Sequence, residues 1–263
     1  MEERKFYTGN VLKTGWTKFK EQPWTWVGAL LLMGLILMTQ PLLTYLVTGD
    51  FGGMLSEAVV DEGRIDDGGE EIRTPDEARN GEVVVIYQNP WEGLISFIYT
   101  LIQSGLSLGL TYMGIRAVDG QTLQLSDLFA RFRYFFYNFI GQILYSLIVL
   151  AGLILLIVPG IIWGLRYSLY PYFIADKKVG PIQALKMSAE ATQGAKWDLF
   201  KFMLAAILIG LAGILALVVG IFVAMPVITI ATAAIYRILS NRLIQSEAVV
   251  PLNATQVSHG EGV

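Results

Sequence analysis

Six apolar segments stand out along this chain, at about 24–47, 92–117, 135–158, 160–175, 197–219 and 221–242. Most hold the roughly 20 residues that an α-helix needs to cross the hydrocarbon core of a bilayer. A soluble core could not surround this many long apolar runs, so lipid is the solvent they imply. The expectation is an all-α transmembrane fold, a six-helix bundle within one polytopic membrane domain at 1–246. A disordered cytoplasmic tail at 247–263 is expected to follow.

The fourth segment is short. Its residues 160–175 rise only about 24 Å as a helix. If Pro159-Gly160 merely kinked one helix from 135 to 175, that helix would be about 60 Å long, twice the bilayer core. It would also put the basic stretches around 118–133 and 176–196 on opposite sides. A hairpin turning at Pro159-Gly160 keeps both on one side, and this is the expected arrangement.

Polar positions between the runs carry a second pattern. In 124–133, Leu125, Leu128, Phe129 and Phe132 recur at helical spacing opposite Arg131 and Arg133, with Ser126 as the expected N-cap. In 181–193, Pro181 opens a stretch that puts Ile182, Leu185 and Ala189 on one face and ends at Gly194. Near the N-terminus, Leu12, Trp16 and Phe19 share a face among Lys13, Lys18 and Lys20. Leu150-Ala-Gly-Leu-Ile-Leu-Leu-Ile-Val-Pro-Gly-Ile161 is matched, with one gap, by Leu211-Ala-Gly-Ile-Leu-Ala-Leu-Val-Val-Gly-Ile221. Leu12-Lys13…Trp24 likewise matches Leu185-Lys186…Trp197 in spacing. Three repeated units follow, each an amphipathic interfacial helix plus a transmembrane hairpin.

Residues 50–91 interrupt the first hairpin as an acidic outer loop. They hold eleven acids against Arg64, Arg73 and Arg79. Glu82-Val-Val-Val-Ile-Tyr87 reads as a strand that can pair with Arg64–Ile72, giving a small extracytoplasmic β-hairpin. The remaining basic residues fix the orientation. With Arg166 set aside as intramembrane, fifteen Lys and Arg fall on the side of the termini and three on the side of the loop. By the positive-inside rule both termini are cytoplasmic.

Composition agrees with this assignment: 54% of the residues are hydrophobic, 16% are charged and the mean hydropathy is +0.54. The formal charge of −3 conceals the division between an acidic loop and a basic remainder. The basic residues flank spans rather than forming a nucleic-acid patch. Without cysteine, disulfides, thiolate metal sites and cysteine nucleophiles are excluded. The one histidine, His259, lies in the tail.

Leu125-Ser-Asp-Leu-Phe129, Leu155-Leu-Ile-Val-Pro-Gly-Ile-Ile162, Arg166-Tyr-Ser168, Ala184-Leu-Lys-x-Ser188 and Gly194-x-Lys-x-x-x-Phe200 form an ordered set. This set resembles an uncharacterised family of bacterial integral membrane proteins related to the membrane domain of some glycerophosphodiester phosphodiesterases. The resemblance covers roughly 92–240. It implies a multi-span fold in the bacterial cytoplasmic (inner) membrane without assigned catalysis. No phosphodiesterase catalytic domain accompanies it here.

Arg166 is the outstanding candidate, because an arginine inside an apolar span costs several kcal/mol unless it snorkels or finds a partner. Its functional reading is a contact to an anion or lipid phosphate, or a gating charge. The structural reading is a salt bridge to Glu92 or outward snorkelling. Gln103, Asn138 and Gln142 are intramembrane amides, which can line a polar path or hydrogen-bond between helices. Lys13, Lys18, Arg131, Arg133, Lys186 and Lys196 are candidate lipid-headgroup contacts.

Gly105-x-x-x-Gly109 permits close packing, either internally or in a homo-oligomer. No P-loop, Gly-x-Ser-x-Gly, histidine–carboxylate set or metal-ligand spacing occurs, so neither catalysis nor a cofactor is expected. The leading reading is a non-enzymatic protein that binds or organises anionic membrane lipids or membrane-protein partners. The alternative is a small transporter or channel with a polar path near Arg166.

Overall fold

The computed structural model describes residues 6–48 and 90–257. Among them every regular element is helical and no strand occurs. The proposed β-hairpin within 50–91 lies outside the described residues, as does most of the loop that would carry it.

Five segments are long and apolar enough to cross a membrane: Pro23–Val47, Trp91–Val118, Leu125–Leu155, Lys196–Leu215 and Gly220–Leu243. In hydrocarbon, a helix satisfies its own backbone hydrogen bonds, which is why such runs become helices. The helices are α1 (Thr8–Glu21), α2 (Pro23–Thr48), α3 (Pro90–Val118), α4 (Phe135–Leu155), α5 (Ile157–Tyr167), α6 (Tyr170–Lys177), α7 (Pro181–Ala191), α8 (Lys196–Leu215) and α9 (Leu217–Val257). Proline opens α2, α3 and α7. At a first helical position it costs no intrahelical hydrogen bond.

Two compact units divide the chain, one of residues 35–100 and one of 1–34 with 101–263. Within the smaller unit, the Thr39 and Tyr99 hydroxyls lie 2.6 Å apart in a hydrogen bond between α2 and α3. The larger unit is built around α6, in which Phe173, Ile174 and Ala175 are completely buried. The Phe173 ring meets Tyr236 of α9 edge-on at 4.9 Å, and Tyr172 stacks on the same ring at 5.8 Å.

Pro159-Gly160 does not kink a continuous helix. The chain reverses at Leu156, which is extended (φ −169°, ψ 151°), and α5 returns antiparallel along α4. The turn comes three residues before the expected dipeptide, because Pro159 and Gly160 are accommodated in the first turns of α5. Gly152 and Gly160 face each other so closely that a Cβ on Gly152 would lie 2.8 Å from the Gly160 Cα. Farther along, the Tyr145 hydroxyl donates to the Gly164 carbonyl at 3.2 Å, and the Tyr170 ring covers Gly141. The α8–α9 turn repeats the device: a Cβ on Gly220 would overlap the Gly213 carbonyl. These two glycine pairs occupy corresponding positions in the matched sequences 150–161 and 211–221.

The stretch at 124–133 is not an amphipathic α-helix. It forms two 3-10 turns, Leu125–Leu128 and Phe132–Tyr134, and Gln124 rather than Ser126 takes the N-cap position. The buried Asp127 carboxylate accepts from the Gln124 backbone N–H at 2.8 Å and pairs with Arg116 of α3. Side-chain bonds of this kind compete with helical ones. Gly105 and Gly109 receive the segment: a Cβ on Gly105 would lie 2.6 Å from the Phe132 ring, and one on Gly109 would overlap the Leu128 carbonyl. The Gly-x-x-x-Gly surface therefore packs against a backbone turn of its own chain.

One helix face also differs from expectation. The face that α1 buries is Val11, Gly15 and Phe19, while Trp16 is exposed. It packs on α9, where a Cβ on Gly15 would lie 2.5 Å from the Val227 carbonyl. At the other end, α9 runs from Leu217 through Val257.

Candidate functional site

The site is centred on a discontinuity between α5 and α6. Pro171 has no N–H, and its ring would clash with the carbonyl of Tyr167 if the helix continued. Accordingly α5 ends at Tyr167 and α6 begins at Tyr170. The break strands backbone groups, and α7 supplies their partners. The Ser188 hydroxyl donates to the Arg166 carbonyl at 3.0 Å and accepts from the Leu169 N–H at 3.1 Å. The Thr192 hydroxyl also donates to the Arg166 carbonyl, at 3.0 Å. Both hydroxyl residues are fully buried.

These bonds hold α7 beside the end of α5 and leave a cleft of about 440 Å³ between α4, α5 and α7. Leu144 and Ile148 line it from α4, Arg166 and Tyr167 from α5, and Lys186 and Glu190 from α7. The Arg166 Nε is shielded and has no hydrogen-bond partner among the described residues. The guanidinium lies 5.7 Å from the Tyr167 ring centroid. Among the described residues of its unit it makes no ion pair. Glu92, its expected partner, stands in the first turn of α3 in the other unit.

The remaining candidates separate by environment. Asn138 is buried and joins two helices: its Nδ2 donates to the Ser104 carbonyl and to the Ser104 Oγ, both at 3.0 Å. Gln103 and Gln142 are exposed on the outer faces of α3 and α4 and do not converge with it. Lys13, Arg133, Lys186 and Lys196 are exposed, whereas Lys18 is half-buried and pairs with Glu21 at 3.0 Å. Arg131 is engaged by the protein itself. Its Nε donates to the Ala175 carbonyl at 2.7 Å, and its guanidinium lies 4.0 Å from the Tyr112 ring centroid.

A second polar centre escaped the sequence reading. Arg237 of α9 joins Asp119, just beyond α3, to Asp176 of α6; the latter contact is 2.9 Å from Nη1. The Tyr236 hydroxyl donates to the same Asp176 oxygen at 2.6 Å. Asp119 and Asp176 follow directly on predicted spans, and that placement was the only signal available.

Comparison with known protein families, curated proteins and solved structures finds no match. The chemistry of the site rests on its own geometry. No described His or carboxylate cluster could hold a metal ion.

Proposed function

We propose that this chain is a six-span protein of the cytoplasmic membrane, with both termini inside, that binds anionic lipid and organises membrane components without catalysis. The exposed basic side chains Lys13 of α1, Arg133 of the second 3-10 turn, Lys186 of α7 and Lys196 at the start of α8 carry this reading. Such groups attract anionic headgroups by about 1 kcal/mol each near a surface. The sixth span in this reading is α5 continued by α6. Together they cover 157–177 and return along α4. Three units, each preceded by a basic segment, account for the two glycine-clasped turns. The suspected kinship with the phosphodiesterase-associated membrane domain fits the same plan.

Lipid analysis of the full chain purified in mild detergent tests the binding. Enrichment of anionic over zwitterionic phospholipid is expected, and retention in proportion to the membrane's own composition would end the proposal. Topology has an independent test, because the chain lacks cysteine. Leu156→Cys should react with an impermeant maleimide from outside, and labelling only from the cytoplasmic side would rule out the six-span arrangement.

The second reading, a small transporter or channel, is favoured by one observation: the helix break at Pro171 beside Arg166. Interrupted helices commonly mark transport sites. Solute flux into proteoliposomes that depends on Arg166, without anionic-lipid enrichment, would select it.

A further inference from the structure

We infer that the cleft between α4, α5 and α7 binds a phosphate ester, with Arg166 and Lys186 as its cationic contacts. The inference rests on the lipid-binding reading and gives it a particular site.

Arg166 is the first reason. Its Nε is shielded from solvent yet has no hydrogen-bond partner among the described residues. Buried donors are nearly always satisfied, so an arginine left without a partner of its own on the wall of a cleft is a candidate to meet a ligand there. Arginine's planar fork matches two phosphate oxygens at once. The neighbouring Tyr167 ring restricts where the guanidinium can swing.

Lys186 is the second reason. It lines the same cleft from α7, and its side chain is exposed. Glu190 also lines the cleft, so its wall carries both signs of charge.

The walls supply the third reason. Leu144, Ile148, Ile182 and Leu185 give the cleft an apolar side on which an acyl chain could lie while the phosphate sits at Arg166. The backbones that carry the two cations are also held together. Ser188 and Thr192 tie the α7 backbone to the Arg166 carbonyl, so the helix bearing Lys186 is anchored at the residue it assists.

The test uses full-length protein in detergent, with binding read by native mass spectrometry. The probes are phosphatidylglycerol, phosphatidylcholine with the same acyl chains, and inorganic phosphate. Wild type should prefer phosphatidylglycerol, and Arg166→Gln and Lys186→Gln should each weaken its binding about tenfold, the usual loss for one charge-assisted contact. Arg166→Lys should fall between, retaining the charge but not the fork. Should Arg166→Gln fail to fold, Lys186→Gln at an exposed position decides alone.

Displacement of the lipid by millimolar inorganic phosphate, with the same dependence on Arg166, would identify a soluble phosphate ester as the ligand. Resistance to displacement would identify the lipid. Equal binding of both lipids by wild type overturns the cleft and the general lipid reading together. A phosphatidylglycerol preference that both glutamine variants keep unchanged overturns the cleft alone.

Discussion

Arg237 grips Asp119 with two edges of its guanidinium, Nε to Oδ1 at 2.9 Å and Nη2 to Oδ2 at 2.5 Å. The third nitrogen, Nη1, reaches Asp176. One side chain therefore ties the end of α3 to α6 and α9, across 118 and 61 residues of sequence. Removing it leaves two partly buried carboxylates facing each other. Arg237→Met is expected to destabilise the protein by about 1–3 kcal/mol, reduced from the cost of a fully buried pair by the partial exposure of the group. A thermal melt in detergent reads this as a lower Tm. An unchanged Tm would mean that the three-way pairing contributes no net stability.

Two glycines in apolar helices should respond in opposite directions. Gly109→Ala drives a Cβ into the Leu128 carbonyl, which is backbone and cannot rotate away. The expected cost is about 1–3 kcal/mol, typical of overpacking. A Cβ on Gly210 of α8 meets nothing within 4 Å. Gly210→Ala should leave stability unchanged or raise it by up to about 1 kcal/mol, the difference in helix propensity. Equal effects at both sites would contradict the close packing of the 3-10 turn on α3.

Asn138 and Ser104 should be energetically coupled. A double-mutant cycle with Asn138→Ala and Ser104→Ala is expected to return about 0.6–2 kcal/mol of interaction, the range for polar pairs between membrane helices. Gln103→Leu and Gln142→Leu, at exposed positions, should change stability little. Coupling near zero for the first pair would show that these hydrogen bonds do not fasten α4 to α3.

The helix break makes a conditional prediction. Ser188→Ala strands the Leu169 N–H, a buried donor, and should cost about 1–3 kcal/mol. In a Pro171→Ala background the helix can continue, the backbone satisfies itself and the same change should cost less than half as much. An undiminished cost would show that some feature other than Pro171 maintains the break.

The membrane helices and the reversal between α4 and α5 were legible because both follow from local rules. Apolar length dictates a span, and the length of the bilayer forbids one helix from 135 to 175. The 3-10 segment was misread for a physical reason. The spacing of Leu125, Leu128, Phe129 and Phe132 fits a helix, but Gly109 opens a slot on α3 that only a turn's backbone can enter. Asp127 then finds Arg116 there. Arg131, Arg116 and Arg237 counted in sequence as markers of orientation. Their partners at Ala175, Asp127, Asp119 and Asp176 are set by tertiary packing, which spacing along the chain does not encode. Arg166 was legible as an anomaly and Lys186 as a candidate headgroup contact; that they line one cleft was not, because tertiary packing sets α7 beside α5.

The glycine clasps have a consequence for how this chain can vary. At Leu156 and Ala216 a single residue joins successive helices, and the facing glycines admit no side chain between them. An added residue at either turn would push the clasped backbones out of register, so these two connections have no slack. Between Thr48 and Pro90, by contrast, a connection of forty-one residues joins α2 to α3, and a long connection takes a change of length at small entropic cost.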